Sequence, residues 1–402
     1  MSSPPTSPLA PGTRIHVSGI CGTGTGALAC LLAELGAAVR GSDAQVYPPM
    51  SETLAGRGIE VRTPYDPGHL ADRPDFVVVG NALSKDHPEA AAARELGLAT
   101  LSFPEAVARW VLPGRLSVVV AGTHGKTTTT TLTAHLLRGA GLDPGWLVGG
   151  VPAGLPGPAR VGAGLPFVIE GDEYDTAYFD KGPKFLHYRP RICILTSVEL
   201  DHLDIYPDQA AVEAAFGRLL ALLPPEGLLV ACADDPGVRR VVAANPPACP
   251  VAWYGVGRDG VRPEGTVRAE VVERRPAATH FRLQGEGGTW ELALPMAGDH
   301  NVANATAAWL AARAAGAEAA PLAAAMGEFA GVRRRQEVVA EVGGVTLVDD
   351  FAHHPTAVAA TLRALRHRFP GRRLWAVFEF RSNSAIRRPF EAAYGEALAV
   401  AD

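Results

Sequence analysis

The sequence predicts an α/β protein with three domains, built around parallel sheets. Three observations lead to this fold class. Short apolar segments alternate with helical segments along most of the chain, as in doubly wound sheets. Glycine-rich turns follow two of the predicted strands and open the helices behind them. The 402 residues, 47% of them hydrophobic, are enough for two or three domains with cores of their own.

The N-terminal region divides into a tail and a first domain. Residues 1–12 are rich in proline and serine and have no apolar core, which predicts a flexible tail and no signal peptide. Residues 13–112 form the first predicted domain. Its expected elements are a strand, a helix and two further strands, at Arg14–Ser18, Thr25–Leu35, Ala38–Arg40 and Phe76–Val79.

A second domain is predicted over residues 113–330, after the turn Pro113-Gly114. Its buried strands are expected at Ser117–Ala121, Phe167–Glu170, Ile192–Thr196 and Leu228–Ala231. Between about 265 and 294 the pattern changes to short alternating strands, which predicts antiparallel pairing of Thr279–Leu283 with Thr289–Leu294. The alanine-rich stretch Asn301–Ala315 is expected to be a helix.

The third predicted domain covers residues 331–402. Strands are expected at Val345–Val348 and Leu374–Phe378, and helices at Pro355–Arg368 and Pro389–Val400. It is short for a doubly wound domain, so we expect it to be incomplete, with an unpaired strand edge and a mobile structure.

Composition narrows the functional classes. A net charge of −5 gives no support for nucleic-acid binding. No apolar run approaches the length of a membrane span. The five cysteines lack metal-ligand spacing, which is typical of reduced thiols in a cytoplasmic protein.

The most informative motif follows the predicted strand Val118–Val120. The turn Gly122-Thr123-His124-Gly125 leads to Lys126-Thr127-Thr128, which opens a helix. Backbone N–H groups of such a turn bind phosphate oxygens, and the helix N-terminus adds positive charge. Lys126 would contact the β- and γ-phosphates, and a threonine hydroxyl would bind Mg²⁺. The loop is shorter than the usual phosphate-binding loop, yet it predicts binding of ATP and Mg²⁺.

A second nucleotide-type turn lies in the first domain. Gly19 and Gly22 follow the first strand and precede a helix, and Asp43 ends the second strand, where an acidic residue often binds a ribose hydroxyl. The alternative is tight packing of helix on strand. Two such turns in successive domains suggest that ATP acts on a substrate that is itself a nucleotide conjugate.

Further polar clusters follow predicted strands or open helices. Glu173, within Glu170–Asp175, is placed like a Mg²⁺ ligand of a phosphate-binding-loop fold, although a solvated acidic loop is the alternative. His202 could be a metal ligand or a proton acceptor. Asn301 and Asn304, further along the chain, could cap a helix or bind a purine. Arg334 and Arg335 could bind polyphosphate or lie in a solvated hinge. Four more polar residues follow predicted strands of the third domain: Asp350, His353, Arg381 and Asn383.

Taken together, these motifs resemble the Mur ligases of bacterial cell-wall synthesis. The matching segments are GTHGKTTT, EGDEYD, VELDH, GDHNVANA, GVRRR and DDFAHHPT, in that order, and they cover nearly the whole chain. The resemblance implies a UDP-binding Rossmann-like domain, a central ATPase domain and a C-terminal Rossmann-like domain. It also implies ATP-dependent amide formation on a UDP-muramoyl carboxylate, through an acyl phosphate.

The resemblance also implies roles for individual residues. Lys126, Glu173, His202 and Arg335 would be catalytic, and Thr127, Glu173 and His202 would hold Mg²⁺. ATP would contact Gly122 to Thr128, Asn301, Asn304, Arg334, Arg335 and Asp350. The UDP substrate would contact Gly19, Gly22, Asp43 and Asn81. The incoming peptide would contact His353, Arg381 and Asn383.

Within the family, the segments GICGTGTGALA, GNALS and FRSNS are most similar to the branch that adds the tripeptide L-alanyl-γ-D-glutamyl-meso-diaminopimelate to UDP-N-acetylmuramate in peptidoglycan recycling. The L-alanine-adding branch and a non-catalytic nucleotide-binding protein are the alternatives. Ser197 replaces the usual asparagine and Phe380 the usual proline. We expect a monomer or weak oligomer in the cytoplasm, with no nucleic-acid or membrane partner.

Overall fold

The computed structural model describes residues 8–257, 262–285, 288–380 and 390–402. The chain forms two compact units. The first contains the residues up to Ser117, together with Asp143–Gly150 and Pro156–Arg189. The second contains Val118–Leu142, Val151–Leu155 and Pro190–Asp402.

The first unit begins with a parallel five-stranded sheet in the order β3-β2-β1-β4-β5. Its strands are β1 (Arg14–Ser18), β2 (Ala38–Ser42), β3 (Glu60–Arg62), β4 (Phe76–Val79) and β5 (Thr100–Ser102). Its helices are α1 (Thr23–Glu34), α2 (Met50–Ala55), α3 (Pro88–Glu95) and α4 (Phe103–Ala106). The valines of β4 are fully buried, because strands of a parallel sheet are covered on both faces.

The remaining elements follow in chain order. The strands are β6 (Leu116–Ala121), β7 (Gly145–Leu147), β8 (Ala159–Arg160), β9 (Pro166–Gly171), β10 (Asp175–Ala177), β11 (Asp180–Pro183), β12 (Ile192–Leu195), β13 (Leu228–Cys232), β14 (Val251–Val256), β15 (Val267–Arg274), β16 (Thr279–Gly285), β17 (Gly288–Leu294), β18 (Glu337–Val342) and β19 (Val345–Asp349). The helices are α5 (Lys126–Gly139), α6 (Gln209–Leu220), α7 (Pro236–Ala244), α8 (Asp299–Ala314), α9 (Ala319–Gly327), α10 (Pro355–Arg368) and α11 (Glu391–Leu398).

In the first unit, β7 pairs with β9 in parallel and with β8 in antiparallel orientation, and β10 and β11 form a hairpin. In the second unit, neighbouring strands run in the order β17-β16-β15-β14-β13-β12-β6. Pairing is parallel from β6 to β15 and antiparallel from β15 to β17. Helix α8 packs on β12, β13 and β14 and against α5. The predicted change from parallel to antiparallel strands is therefore confirmed.

The C-terminal part of the second unit contains the β18–β19 hairpin and the helices α10 and α11, joined by a small cluster of Val358, Leu362 and Ala397. The strand predicted at Leu374–Phe378 is wrong, because this segment has no regular secondary structure. Trp375 is 76% and Val377 99% exposed, while Leu374 and Phe378 are partly buried against the cluster. A strand needs a neighbour for its backbone hydrogen bonds, and none pairs with this segment in the described ranges.

Most other predicted elements are confirmed. The strands Arg14–Ser18 and Phe76–Val79 and the helix Pro355–Arg368 have the predicted limits, and most others differ by one or two residues. The last helix is described from Glu391, two residues after its predicted start. The domain boundaries near residues 113 and 331 stay predictions. None of the described helices combines the length and apolar character that a membrane span requires.

Candidate active site

The turn after β6 needs glycine at two positions. Gly122 has a φ of 131° and Gly125 a φ of 80°, which side chains with a Cβ atom rarely adopt. A Cβ atom on Gly122 would lie 2.2 Å from Oγ1 of Thr196, and one on Gly125 would lie 2.6 Å from Oδ1 of Asn304. Glycine therefore keeps this loop tight against the segments beside it.

The loop ends at the positive end of a helix. Lys126 and Thr127 are the first two residues of α5, and this helix end attracts anions. Nζ of Lys126 donates hydrogen bonds to the carbonyl oxygens of Gly122 and Thr123 at 2.8 and 3.3 Å. The ammonium group is thus held over the loop, where phosphate oxygens are stronger acceptors than these carbonyls.

Hydrogen bonds join the loop to the segment after β12. The N–H of Thr123 donates to the carbonyl of Ser197 at 3.0 Å, and its hydroxyl donates to the carbonyl of Glu199 at 3.1 Å. The N–H of His124 donates to Oγ of Ser197 at 2.9 Å, so the serine that replaces the usual asparagine still provides an acceptor. These bonds fix the loop conformation before a nucleotide binds, which reduces the cost of organising the site.

A cavity of about 860 Å³ opens beside this loop within the second unit. The loop and the residues that follow β12, β13 and β14 line it, together with β15, the start of α8 and residues 335–361. Its polar lining includes His124, Thr128, Ser197, Glu199, Asp234, Asp235, Arg274, His300, Asn301, Asn304, Arg335, Gln336 and Asp350. Apolar side chains, among them Tyr254, Val256, Val271 and Met296, line the rest of it. A cavity of this size with both apolar and charged walls suits a nucleoside triphosphate.

The start of α8 brings the predicted amide pair to the cavity. Asn301 and Asn304 are buried and line the cavity, and Nδ2 of Asn304 donates to Oδ1 of Asn301 at 3.3 Å. Nδ2 of Asn301 donates to the carbonyl of Ala297 at 2.8 Å, which closes the first turn. His300 also lines the cavity, and burial lowers the pKa of its imidazole. The pair is positioned for a purine, although its binding stays a prediction.

The two neighbouring arginines have different surroundings. Both guanidinium groups lie beside Phe351, 5.1 Å from the ring centre for Arg334 and 5.2 Å for Arg335, but Arg335 also lines the cavity. Arg334 is not among the described residues that line the cavity, and its Nε donates to Asp349 at 3.2 Å. Of the two predicted ATP ligands, the structure therefore favours Arg335.

Asp350 lines the cavity, but its carboxylate accepts hydrogen bonds from the protein backbone. Oδ2 accepts from the N–H of Gln336 at 2.8 Å, and Oδ1 accepts from the N–H of Ala352 at 2.8 Å. This carboxylate fixes the turns on either side of the β18–β19 hairpin. Its predicted contact with ATP stays a prediction.

The segment after β12 also carries Asp201 and His202, both buried. The N–H of His202 donates to Oδ1 of Asp201 at 2.7 Å, and His202 has a positive φ of 54°. Nε2 of His353 lies 3.9 Å from Oδ2 of Asp201, while its Nδ1 donates to the carbonyl of Phe351 at 3.1 Å. Burial lowers the pKa of His353, so its imidazole is neutral near pH 7 and carries its lone pair on Nε2.

The three predicted Mg²⁺ ligands come from both units. Thr127 and His202 belong to the second unit, and Glu173 belongs to the first, where it follows β9 and is buried. Their joint binding of Mg²⁺ stays a prediction. Arg381 and Asn383, predicted to bind the peptide, lie outside the described residues.

The carboxyl edge of the first sheet brings together the predicted UDP-binding residues. The N–H of Gly19 donates to the carbonyl of Ser42 at 2.8 Å, and Gly22 is the N-cap residue of α1. Oδ2 of Asp43 accepts from the N–H of Cys21 at 2.9 Å, within the glycine turn. Asn81 is exposed just beyond β4, at the same edge. Contact with a nucleotide stays a prediction for all of them.

A buried carboxylate, which the sequence did not reveal, lies beneath this edge. Glu89 is 0% exposed and begins the first turn of α3. It accepts hydrogen bonds from the hydroxyls of Ser18 and Ser42, both at 2.5 Å, and from His16 and His69 at 3.2 and 2.9 Å. Burial alone would raise its pKa, but these hydrogen bonds lower it, so the carboxylate stays ionised.

Comparison with known proteins identifies the family. Family models described as "Mur ligase family, catalytic domain", "Mur ligase middle domain" and "Mur ligase, glutamate ligase domain" match residues 14–113, 120–312 and 334–402. The chain is 41% identical to the UDP-N-acetylmuramate--L-alanyl-gamma-D-glutamyl-meso-2,6-diaminoheptandioate ligase of Escherichia coli, over 92% of this chain and 79% of that protein. The chain belongs to the Mur ligase family. It is therefore a ligase with the three α/β domains that the motifs predicted.

Two further similarities bear on the branch of the Mur ligase family. The crystal structure of a murein peptide ligase from Psychrobacter arcticus has a TM-score of 0.80 and 35% identity, over 97% of this chain and 84% of that one. The UDP-N-acetylmuramate--L-alanine ligase of Kineococcus radiotolerans is 41% identical, over 97% of this chain and 80% of that protein. Both branches are thus represented among the relatives.

Several cavity residues escaped the sequence argument. Asp234, Asp235 and Arg274 line the cavity from the region around β13 and β15, and Gln336 follows the predicted arginines. The ends of parallel strands lie at one edge, so Asp234 and Asp235 were detectable from their position after the predicted strand Leu228–Ala231. Arg274 and Gln336 offered no such signal, because they are close to the cavity only in the folded chain.

Proposed function

We propose that the chain joins L-alanyl-γ-D-glutamyl-meso-diaminopimelate to UDP-N-acetylmuramate at the expense of ATP. An oxygen of the muramoyl carboxylate attacks the γ-phosphorus, and the bond to ADP breaks, giving an acyl phosphate. The peptide amine then attacks the acyl carbon, phosphate leaves, and the nitrogen loses a proton. The observation that carries the proposal is the cavity, which brings His124, Gly125 and Thr128 of the loop together with Arg335, in a chain 41% identical to a named tripeptide ligase.

The first step needs negative charge to be neutralised around the migrating phosphoryl group. The Lys126 ammonium and the N-terminus of α5 supply fixed positive charge at the loop. Arg335, which also lines the cavity, adds a planar donor. Mg²⁺, held by Thr127, Glu173 and His202, would neutralise further phosphate charge.

The second step needs a base for the attacking amine. His353 suits this role because its Nδ1 proton is engaged by the carbonyl of Phe351, which leaves Nε2 as the acceptor. The buried Asp201 carboxylate, 3.9 Å from Nε2, stabilises the imidazolium that forms. His353 would therefore accept the proton, and Asp201 would stabilise the charged ring.

The nucleotide of the second substrate is assigned to the carboxyl edge of the first sheet. Gly19, Gly22, Asp43 and Asn81 gather there, and the ordered carboxylate of Asp43 is a suitable acceptor for a ribose hydroxyl. All five cysteines are free thiols, which agrees with the proposed cytoplasmic location.

The amine substrate decides between the two branches. With purified chain, ATP, Mg²⁺ and UDP-N-acetylmuramate, we expect mass spectrometry to detect the UDP-muramoyl tripeptide, with phosphate released in equal amount. The same assay with L-alanine should give little product. Faster ligation of L-alanine would support the alternative branch, and no ligation of either amine by a folded chain would contradict the proposal.

A further inference from the structure

Three side chains from separate segments converge beside the cavity and include neither Thr127 nor His202. They are His124 of the loop after β6, Glu199 after β12, and His354, the N-cap residue of α10. Nε2 of His124 lies 2.8 Å from Oε2 of Glu199, and Nδ1 of His354 lies 3.4 Å from the same oxygen. One ligand atom from each of the three lies within 4.8 Å of the others.

The imidazole of His354 is poorly satisfied within the protein. The ring is 7% exposed, and Nε2 has no hydrogen-bond partner among the described residues. The backbone of Leu200 lies near the ring and favours its protonated form. Nδ1 accepts a long hydrogen bond of 3.4 Å from the N–H of Thr356 and lies at the same distance from Oε2 of Glu199. A buried polar group with so little compensation is costly, so this ring is better explained by a ligand that the protein binds.

The protonation states favour a cation. Burial lowers the pKa of His354 to about 4, so its nitrogen lone pair is available near pH 7. Burial would raise the pKa of Glu199, but the hydrogen bond from His124 and the nearby imidazoles lower it. The cluster therefore offers an ionised carboxylate and at least one neutral imidazole, which is what a metal ion requires.

We propose that His124, Glu199 and His354 form a binding site for a divalent transition-metal ion of the Zn²⁺ class, distinct from the Mg²⁺ site. Two imidazoles and one carboxylate are a known ligand set for such ions, with a fourth position left for water or substrate. Tetrahedral ligands at about 2.0–2.1 Å from a metal lie about 3.3 Å apart. The observed separations of 2.8 and 3.4 Å need only small side-chain movements to reach that geometry.

An ion bound at this site would link three separate segments of the chain. Its three ligands connect the phosphate-binding loop, the strand-end segment and the N-cap residue of α10. A bound ion would hold the turn that carries His353 against the loop that carries Lys126.

Cobalt(II) is a suitable probe, because its visible absorption reports tetrahedral coordination by protein ligands. With the full chain in excess Mg²⁺, we expect one equivalent of Co²⁺ to give these bands and Zn²⁺ to abolish them. Asparagine is a good N-cap, so His354→Asn should retain α10 while weakening Co²⁺ binding by at least about 10-fold. His124→Asn and Glu199→Gln should have the same effect.

Two matched variants keep the test specific. His187 also pairs with a carboxylate, Asp180 at 2.7 Å, but lies outside the cluster, so His187→Asn should bind Co²⁺ normally. His202→Asn should also bind Co²⁺ normally, because His202 belongs to the predicted Mg²⁺ site and not to this cluster. Circular dichroism and thermal melting establish that each variant folds. Absence of the bands in the unmodified chain, unchanged binding by folded His354→Asn, or loss in His202→Asn alone would overturn the proposal.

Discussion

The two nucleotide-type sites of this chain are built in opposite ways. In the second unit, the loop Gly122–Thr128 is one continuous stretch, shaped by glycines and by backbone hydrogen bonds to Ser197 and Glu199. In the first unit, the carboxyl edge depends on Glu89, which gathers donors from β1, β2 and the segment before β4. A site made by local backbone can be recognised from a motif, whereas one made by a distant buried side chain cannot.

The largest effect is expected at the loop. Lys126→Ala removes the ammonium that faces the phosphates, and single electrostatic stabilisers of this kind contribute about 10²–10³ in rate. ATP-dependent phosphate release should fall by that factor, while binding of UDP-N-acetylmuramate, measured by calorimetry, stays unchanged. Near-normal turnover would show that the loop is not the ATP site.

The corresponding change in the first unit is Glu89→Gln. An amide cannot accept all of the surrounding hydrogen bonds, and breaking a buried charged network costs about 3 kcal/mol of folding free energy. Urea unfolding of the first unit should shift accordingly, and UDP-N-acetylmuramate should bind more weakly. Glu105→Gln, at the α4 capping box, is a control with a smaller expected loss.

The ionised carboxylate of Glu89 should also make the free energy of unfolding depend on pH. Because the folded pKa of Glu89 is lowered, its stabilising contribution is complete above the unfolded value of 4.5 and declines as pH falls from there towards the folded value. Unfolding free energies measured from pH 6 to pH 3 should therefore converge between the wild type and Glu89→Gln. A constant difference across that range would contradict the assignment of the network to an ionised carboxylate.

These contrasts explain how far the sequence could predict the molecule. Strand limits such as Phe76–Val79 were predictable because buried parallel strands are runs of apolar residues. The loop residues and Asn301 were predictable because they lie within short motifs. Glu89 was not, because it opens an ordinary alanine-rich helix, and its partners come from distant segments. Leu374–Phe378 was mispredicted because an apolar run does not show whether a neighbouring strand exists.

A smaller effect, on the binding of UDP-N-acetylmuramate, is expected at the carboxyl edge of the first sheet. Asp43→Ala removes a carboxylate that accepts from the N–H groups of Cys21 and Gln45 at 2.9 and 3.1 Å. Hydrogen bonds to charged groups contribute about 1.5–3 kcal/mol, so UDP-N-acetylmuramate affinity should fall about 10- to 100-fold. Asp75→Ala is the matched control, since Asp75 also accepts from a backbone N–H, that of Arg14, but before β4 begins. Equal losses in both variants would remove Asp43 from the binding site.

The smallest effects separate the two adjacent arginines, which a motif cannot distinguish. Arg335 lines the cavity, and loss of its charge-assisted contact in Arg335→Ala should reduce phosphate release about 10-fold. Arg334 is directed to Asp349 in an exposed ion pair, which contributes about 0–1 kcal/mol, so Arg334→Ala should leave the rate nearly unchanged. Initial rates at saturating ATP for the two variants measure the difference directly. A larger loss of rate in Arg334→Ala than in Arg335→Ala would contradict this assignment. It would mean that the turn before β18 changes its backbone conformation when ATP binds.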